Sequence, residues 1–567
     1  MHRRCLFAVS LAGLLAALGT WFLPVNPPVD GVAPNRFVAK VWAKTGGETR
    51  FWYNVGAGNW NELSQGRELL ASADPVEISF PLPAGTIVGF LWTIPGGADS
   101  VIQARVQSAQ GRLLYEFEPA DLLPNCSLRL RHTLHLPFDP DRSSPVFGRE
   151  RWIAAILALA ELAVLGVLWR RRHGPKLPRG FAACAIVLAA ACVLFSRRPD
   201  VLCHPQFWGE DGTVYFSQRE DGWRGIFESQ ANYLALLPRV TALLANLAPV
   251  WYAPAIYEAV AVVVTLATVL KAASPRVGLP LPTLAGLMVV LVPGMDEITA
   301  NLTNAQWFGA VILVLVAIGR PPRSPIEALV DLAAVALFGL TGPFVIVVLP
   351  IFLWRALRSR TWRVGMVAFL AALIAAAQVW TYRCSSPAPI AAAQLSVSAC
   401  LAAVGFRTGG QLFGLMPSPD FHDPIPWGIA GLALVVSIWT WFPLRGAQGP
   451  IRWALAWVAA MVMAGGCVRY LAHVHFFFEP VFILRYFYMP VLFSGWVMLG
   501  GLVQRGVRAR ASALLLAAVA IRNVSDYRMS PYTDLHWPHY AAAIQRGEAI
   551  KVPINPPAWS FDSGGTH

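Results

Sequence analysis

CHPQFWGEDGTVYF, residues 203–216, sets two adjacent carboxylates, Glu210 and Asp211, among the aromatics Phe207, Trp208, Tyr215 and Phe216. It comes just after an apolar run that ends at Phe195. Acids this close to a hydrocarbon boundary are costly unless they face water, a partner or a ligand. The stretch therefore reads as the reactive centre of a membrane protein. The remaining segments are weighed by how they stand to it.

Composition supports that setting. The chain has 567 residues, 56% of them hydrophobic and only 14% charged, where a soluble domain carries about 25% charged residues. The net charge of +13 sits in short basic clusters between apolar runs. That is the placement of orientation signals and excludes nucleic acid as a partner. Eight cysteines occur without a CxxC or a Cys/His zinc spacing. Cys5, Cys184 and Cys192 lie inside apolar runs, which argues against a disulfide framework.

Upstream of the acidic stretch, His2, Arg3 and Arg4 precede an apolar run over 5–23. It exceeds the ~7–15 residues of a signal-peptide core, so 1–24 reads as an anchor rather than a cleaved leader. Residues 25–150 change character. FVAKVW, TRFWYNV, VEISFPL and RLLYEFE are β-rich runs separated by Gly and Pro turns, the pattern of a small β-sandwich outside the membrane. Its Trp52, Tyr53 and Trp60 suit either sugar stacking or a strand core.

From Trp152 onward the apolar runs predict spans at 152–169, 181–195, 255–271, 282–293, 305–318, 326–340, 344–357, 364–380, 427–441, 453–467, 488–502 and 511–521. With the first anchor this gives about 13 crossings. The expected class is therefore an all-α polytopic membrane protein with an N-terminal extracytoplasmic β-sandwich-like domain. Residues 151–522 form its membrane part, 196–252 an external loop and 523–567 an external tail. RRRHGPK (170–176), KAASPR (271–276), RPPR (320–323), RALRSRTWR (355–363), RGAQGPIR (445–452) and QRGVRAR (504–510) then share one side with the basic N-terminus. By the positive-inside rule that side is cytoplasmic. Glu210/Asp211, Asp296/Glu297 and Asp420/Asp423 fall outside, and Arg197/Arg198 run against the rule. Within the external loop, residues 226–250 carry Leu234, Leu237, Val240, Leu243, Leu244 and Leu247 at helical spacing. An amphipathic helix in the interface plane, interrupted by Pro238, fits them. The tail predicts a short helix over 531–546 around Trp537 and Tyr540, then an extended run at 553–557 that lids the acidic stretch.

FWGEDGTVYF, YLALLPRVTA, NLTNAQWF, LTGPF, RYFYMP and the tail RGEAIKVPINPPAW together resemble bacterial GT-C glycosyltransferases over about residues 180–567. The resemblance implies an enzyme of the bacterial inner membrane that takes a sugar from a polyprenyl-phosphate carrier on the periplasmic face and passes it to a glycan acceptor. It implies that Asp211 or Glu210 is the acid of the first external loop, with Asp211 favoured as the base that accepts a hydroxyl proton. A helix cap is the structural alternative for Asp211. Arg485 is the first candidate for the lipid phosphate, ahead of Arg407, Arg239 and Arg469; ordinary headgroup snorkelling is the alternative. Trp208, Asp296, Glu297, Asn304 and Trp307 are candidates for sugar contact, alongside Asn301 and Gln306. His473 and His475 suit hydrogen bonds to sugar or phosphate better than a metal. A divalent cation shared by Asp211 and the Asp296/Glu297 loop has no ligand count to decide it. The competing function is a transporter or flippase of lipid-linked sugars, which would place polar groups near the midplane on broken helices.

Overall fold

The computed structural model describes residues 2–22, 35–42, 44, 47–54, 60–62, 67–82, 85–87, 89–94, 98–108, 112–122, 127–128, 130–131, 134–136, 146–170, 180–385, 397–413, 425–442, 449–469, 483–525, 527–529, 532, 534–556 and 559–563. In the N-terminal part, alternating burial along Asn35–Val41 builds a strand at the centre of an antiparallel sheet. The sheet runs in the order Val76–Leu82, Asn35–Val41, Val101–Ser108, Leu113–Phe117. A second antiparallel sheet orders Ser127–Leu128, Gly89–Thr93 and Gly47–Asn54, with Trp60–Glu62 and Arg67–Leu69 both pairing to the last. Their shared core is aromatic. Phe37 lies 4.3 Å from Phe51, Phe51 stacks on Phe80 at 4.8 Å, and the Trp92 indole donates to Thr49 Oγ1. Tyr53 is buried in this core and Trp52 is half-buried, so Tyr53 is unavailable for sugar stacking. The Trp60 side chain lies outside the described residues.

The expectation of about 13 crossings in an all-α polytopic class is overturned. Among the described residues, three helices are long and apolar enough to cross a membrane: Val250–Ala272, Trp362–Cys384 and Gly449–Arg469. Several predicted spans fold as shorter helices. Pro282–Leu291 has 10 residues and Ala305–Ile318 has 14. At about 1.5 Å per residue neither reaches across a hydrocarbon layer of about 30 Å. Ala305–Ile318 is buried almost all round by other parts of the chain, which is what a helix apolar on every face does in a protein core. Its apolarity is matched to neighbouring helices. Arg485–Leu502 is similarly enclosed, with the Tyr488 hydroxyl donating to Val289 O and the Trp496 indole to Ala285 O.

Polar contacts fix the ends of these helices. Ser324 caps Pro325–Gly339 by accepting from the Glu327 N–H at 3.1 Å, the ordinary N-cap arrangement. Asp331, buried on that helix, pairs with Lys271 at 3.0 Å and with Arg276. The helix His2–Phe22 packs on Phe181–Arg197 and Val146–Arg170, with Gly13 against Ala189.

A glycine crossing joins two further elements. Gly405 and Gly409, in the helix Val397–Gly405 and the π-helical turn after it, face Gly428 and Gly431 of Ile425–Trp441. A Cβ on Gly405 would strike Gly428 O, and one on Gly428 would strike Ala402 O. Backbone cannot step aside as a side chain does, and small residues are what allow so close a crossing. Gly428→Ala is expected to cost about 1–3 kcal/mol by overpacking, read as a lowered melting midpoint in detergent. Gly465→Ala, where a Cβ meets nothing within 4 Å, serves as the silent control.

Candidate functional site

The acidic stretch is held by the C-terminal tail. Gly209, at φ +48°, takes the left-handed turn that glycine favours. Its N–H donates to Asn555 O at 2.6 Å, and the Asn555 N–H returns to Phe207 O at 3.0 Å. Asp211–Phe216 then continues as a π-helical turn. Phe207 and Phe216 are buried edge-on against Trp537 at 4.9 and 5.5 Å. Gly212 lies under Ile554 and Phe561. The tail forms the predicted short helix, Trp537–Gln545, and a hairpin of Ile550–Ile554 with Trp559–Ser563. It is an integral wall of this region.

Asp211 is buried at 2% exposure, and both its oxygens are engaged. Oδ1 accepts from the Thr303 N–H at 2.7 Å and Oδ2 from the Leu302 N–H at 3.0 Å. Those donors lie in the turn that leads into the helix Ala305–Ile318, where free N–H groups favour an anion. Asp211 thus ties the acidic stretch to the 301–304 turn, a capping role played across two segments. Burial pushes its carboxyl up from 3.8 to about 7, against the pull of its hydrogen bonds to Thr303 and Leu302.

That displacement has a pH signature. Below about pH 4 Asp211 carries a proton in folded and unfolded chains alike, and its contribution to stability is complete. Between about 4 and 7 the folded chain keeps a proton that the unfolded chain releases, so stability falls as pH rises and the contribution is gone above about 7. The whole window corresponds to about 4 kcal/mol. A falling melting midpoint from pH 4 to 7 is expected, and Asp211→Asn should make the fall shallower.

Glu210 differs from its neighbour. It is half-buried and makes no hydrogen bond or ion pair among the described residues. Its charge is felt by the Tyr233 hydroxyl, which also feels Arg485 and Arg469. Burial raises the Tyr233 pKa, and Gln306 Nε2 donates to this hydroxyl at 3.2 Å. Arg485 forms an ion pair with Glu297, whose Oε2 also accepts the Arg485 N–H at 3.0 Å. One acid and two cations therefore lie within electrostatic reach of one phenol.

The other sequence candidates are placed less favourably for sugar contact. Trp307 is 3% exposed, edge-on to Tyr486 at 5.0 Å and Phe344 at 4.8 Å, so its faces are closed to a pyranose. Asn304 and Asn301 both donate to Glu297 O, at 2.9 and 2.8 Å, and hold the 297–304 loop. Asp296 is half-buried: its O accepts from Arg198, and desolvation raises its carboxyl pKa against the pull of Arg197 and Arg198. Trp208 stacks on Tyr532 at 4.9 Å, and the Arg198 guanidinium lies over the same Tyr532 ring. Arg407 is wholly buried in the turn Phe406–Gly410. Arg239 donates to Gln218 at 2.7 Å in a cleft that Tyr215 also lines. His473 and His475 lie outside the described residues.

Two of the acids considered for a divalent cation are engaged by the protein itself. Asp211 accepts two N–H groups and Glu297 is paired with Arg485. Among the described residues no three His, Cys, Asp or Glu side chains converge as metal ligands do. No protein-family model, curated protein or solved structure matches this chain. The site's chemistry therefore rests on its own residues. Tyr233 and Gln306 were not singled out as a pair by sequence. Tyr233 stands in YLALLPRVTA and Gln306 in NLTNAQWF, and only the fold brings them together.

Proposed function

We propose that this chain is a membrane-associated glycosyltransferase that moves a monosaccharide from a polyprenyl-phosphate carrier to a glycan acceptor, with Glu210 as its base. The observation that carries the reading is the half-buried Glu210 carboxylate, uncommitted among the described residues, whose charge acts on the same Tyr233 hydroxyl as those of Arg485 and Arg469. A sugar hydroxyl is a weak nucleophile at neutral pH, and a positioned carboxylate accepts its proton as attack proceeds. The hydroxyl oxygen forms the new bond to the anomeric carbon while the bond from that carbon to the phosphate oxygen breaks. One displacement of this kind inverts the anomeric centre. The departing lipid phosphate carries the electron pair, and fixed cations stabilise that developing charge. Arg485 and Arg469 serve there, with Glu297 holding Arg485 in place. Asp211 positions the stretch, and the three long apolar helices keep it at a bilayer. We place the site on the outer face of the bacterial cytoplasmic membrane, where a lipid-carried sugar is presented.

The test is transfer by the purified chain in vesicles supplied with polyprenyl-phosphate sugars, scored as release of polyprenyl phosphate. Comparison of surface glycan masses with and without the gene product names the sugar. Movement of intact carrier across the bilayer with no phosphate release would instead mark a flippase. Arg485→Gln is expected to lower turnover by about 10²–10³-fold, the cost of removing one oxyanion donor, with folding checked by the melting midpoint.

A further inference from the structure

A small open cleft, about 190 Å³ when the solvent at its mouth is included, borders the acidic stretch, lined by Tyr215, Gln218, Arg219, Gly225, Arg239 and Leu243 among others. It holds two guanidiniums. Arg239 is 96% buried by its 4% exposure, and its Nε has no hydrogen-bond partner among the described residues. Its other nitrogens meet Gln218 Oε1 at 2.7 Å and the half-exposed Glu228 at 3.6 Å. Arg219 donates to Phe216 O at 3.0 Å and meets the exposed Glu220 at 3.2 Å. The Tyr257 hydroxyl, also buried without a partner among the described residues, lies within electrostatic reach of both guanidiniums. A buried cation with an unsatisfied donor costs stability unless an anion completes it.

The elements that wall this cleft are also greasy where they should be wet. Trp223 and Phe227 flank the turn that carries Gly225, and Leu244 and Leu247 follow Leu243. They are 67%, 70%, 54% and 85% exposed, and none belongs to the three long apolar helices. Exposed aromatic and leucine side chains next to arginines suit the headgroup layer of a bilayer. We propose that the Arg219–Arg239 cleft binds the phosphate of an anionic phospholipid headgroup while Trp223, Phe227, Leu244 and Leu247 enter the adjoining acyl boundary. The phosphate oxygens take the free Arg239 Nε–H and the Arg219 guanidinium, and the loose ion pairs to Glu220 and Glu228 yield. This lipid is a resident of the bilayer, distinct from any sugar carrier, and the inference stands apart from the transfer reaction.

The test uses the full chain extracted from membranes, with co-purifying phosphatidylglycerol counted by native mass spectrometry. It is paired with binding to phosphatidylcholine vesicles with and without phosphatidylglycerol. Arg239→Gln and Arg219→Gln are each expected to reduce retained phosphatidylglycerol by about tenfold or more, the loss of one charge-assisted hydrogen bond. If Arg239→Gln fails to fold, the less buried Arg219→Gln decides. Trp223→Ala with Phe227→Ala should weaken vesicle binding while leaving the melting midpoint in detergent unchanged. Equal retention in both arginine variants overturns the proposal. So does displacement of the lipid's effect by inorganic phosphate alone, which would make this a free-anion site, or by a polyprenyl phosphate alone, which would make it a carrier site.

Discussion

Glu210→Gln is expected to lower sugar transfer by about 10²–10⁴-fold, the range that general-base catalysis supplies, while the protein melts as the parent does. The substitution keeps the side chain's shape and removes only its ability to take a proton. No described hydrogen bond or ion pair is lost with it, so the loss should fall on turnover and leave donor binding nearly unchanged, the pattern of an interaction made only in the transition state. Asp211→Asn should behave in the opposite way. An amide NH₂ there must face the N–H of Leu302 or Thr303, and leaving a buried donor unpaired costs about 1–3 kcal/mol. Its first symptom is a lowered melting midpoint. Full folding of Asp211→Asn with abolished transfer, beside an active Glu210→Gln, would exchange the two roles.

Trp537→Ala is the second large effect. Trp537 is 6% exposed, edge-on to Phe207 and Phe216, and its indole donates to Trp251 O at 3.2 Å. Truncating a buried tryptophan costs about 3–5 kcal/mol. The cavity would open beneath the acidic stretch, so the tail hairpin should loosen from Gly209 and Phe207. The expected result is a strongly lowered melting midpoint, rapid tryptic cleavage at Arg546, and reduced transfer. Parent-like resistance at Arg546 would show that the tail is held by other contacts.

What the sequence revealed and what it hid follow from the range of the contacts involved. The acidic stretch, the β-rich segment and the helix at Trp537–Gln545 are written in local pattern. The crossing count failed because an apolar run reports burial without saying what does the burying. Ala305–Ile318 has the composition of a span, yet its sides are covered by other parts of the chain. Trp307 and Asn304 have the right chemistry for a sugar, but their use is set by Phe344, Tyr486 and Glu297, which no local window contains. Adjacent Glu210 and Asp211 could not be told apart by type. Only the two N–H groups from a distant turn separate them.

The pairing of Asn555 with Phe207 and Gly209 also sets a schedule. Every described helix precedes, in chain order, the segment that clasps Gly209. A nascent polypeptide arrested upstream of Asn555 can insert its greasy helices yet lacks the clasp around its acids, so competence waits on synthesis of this segment.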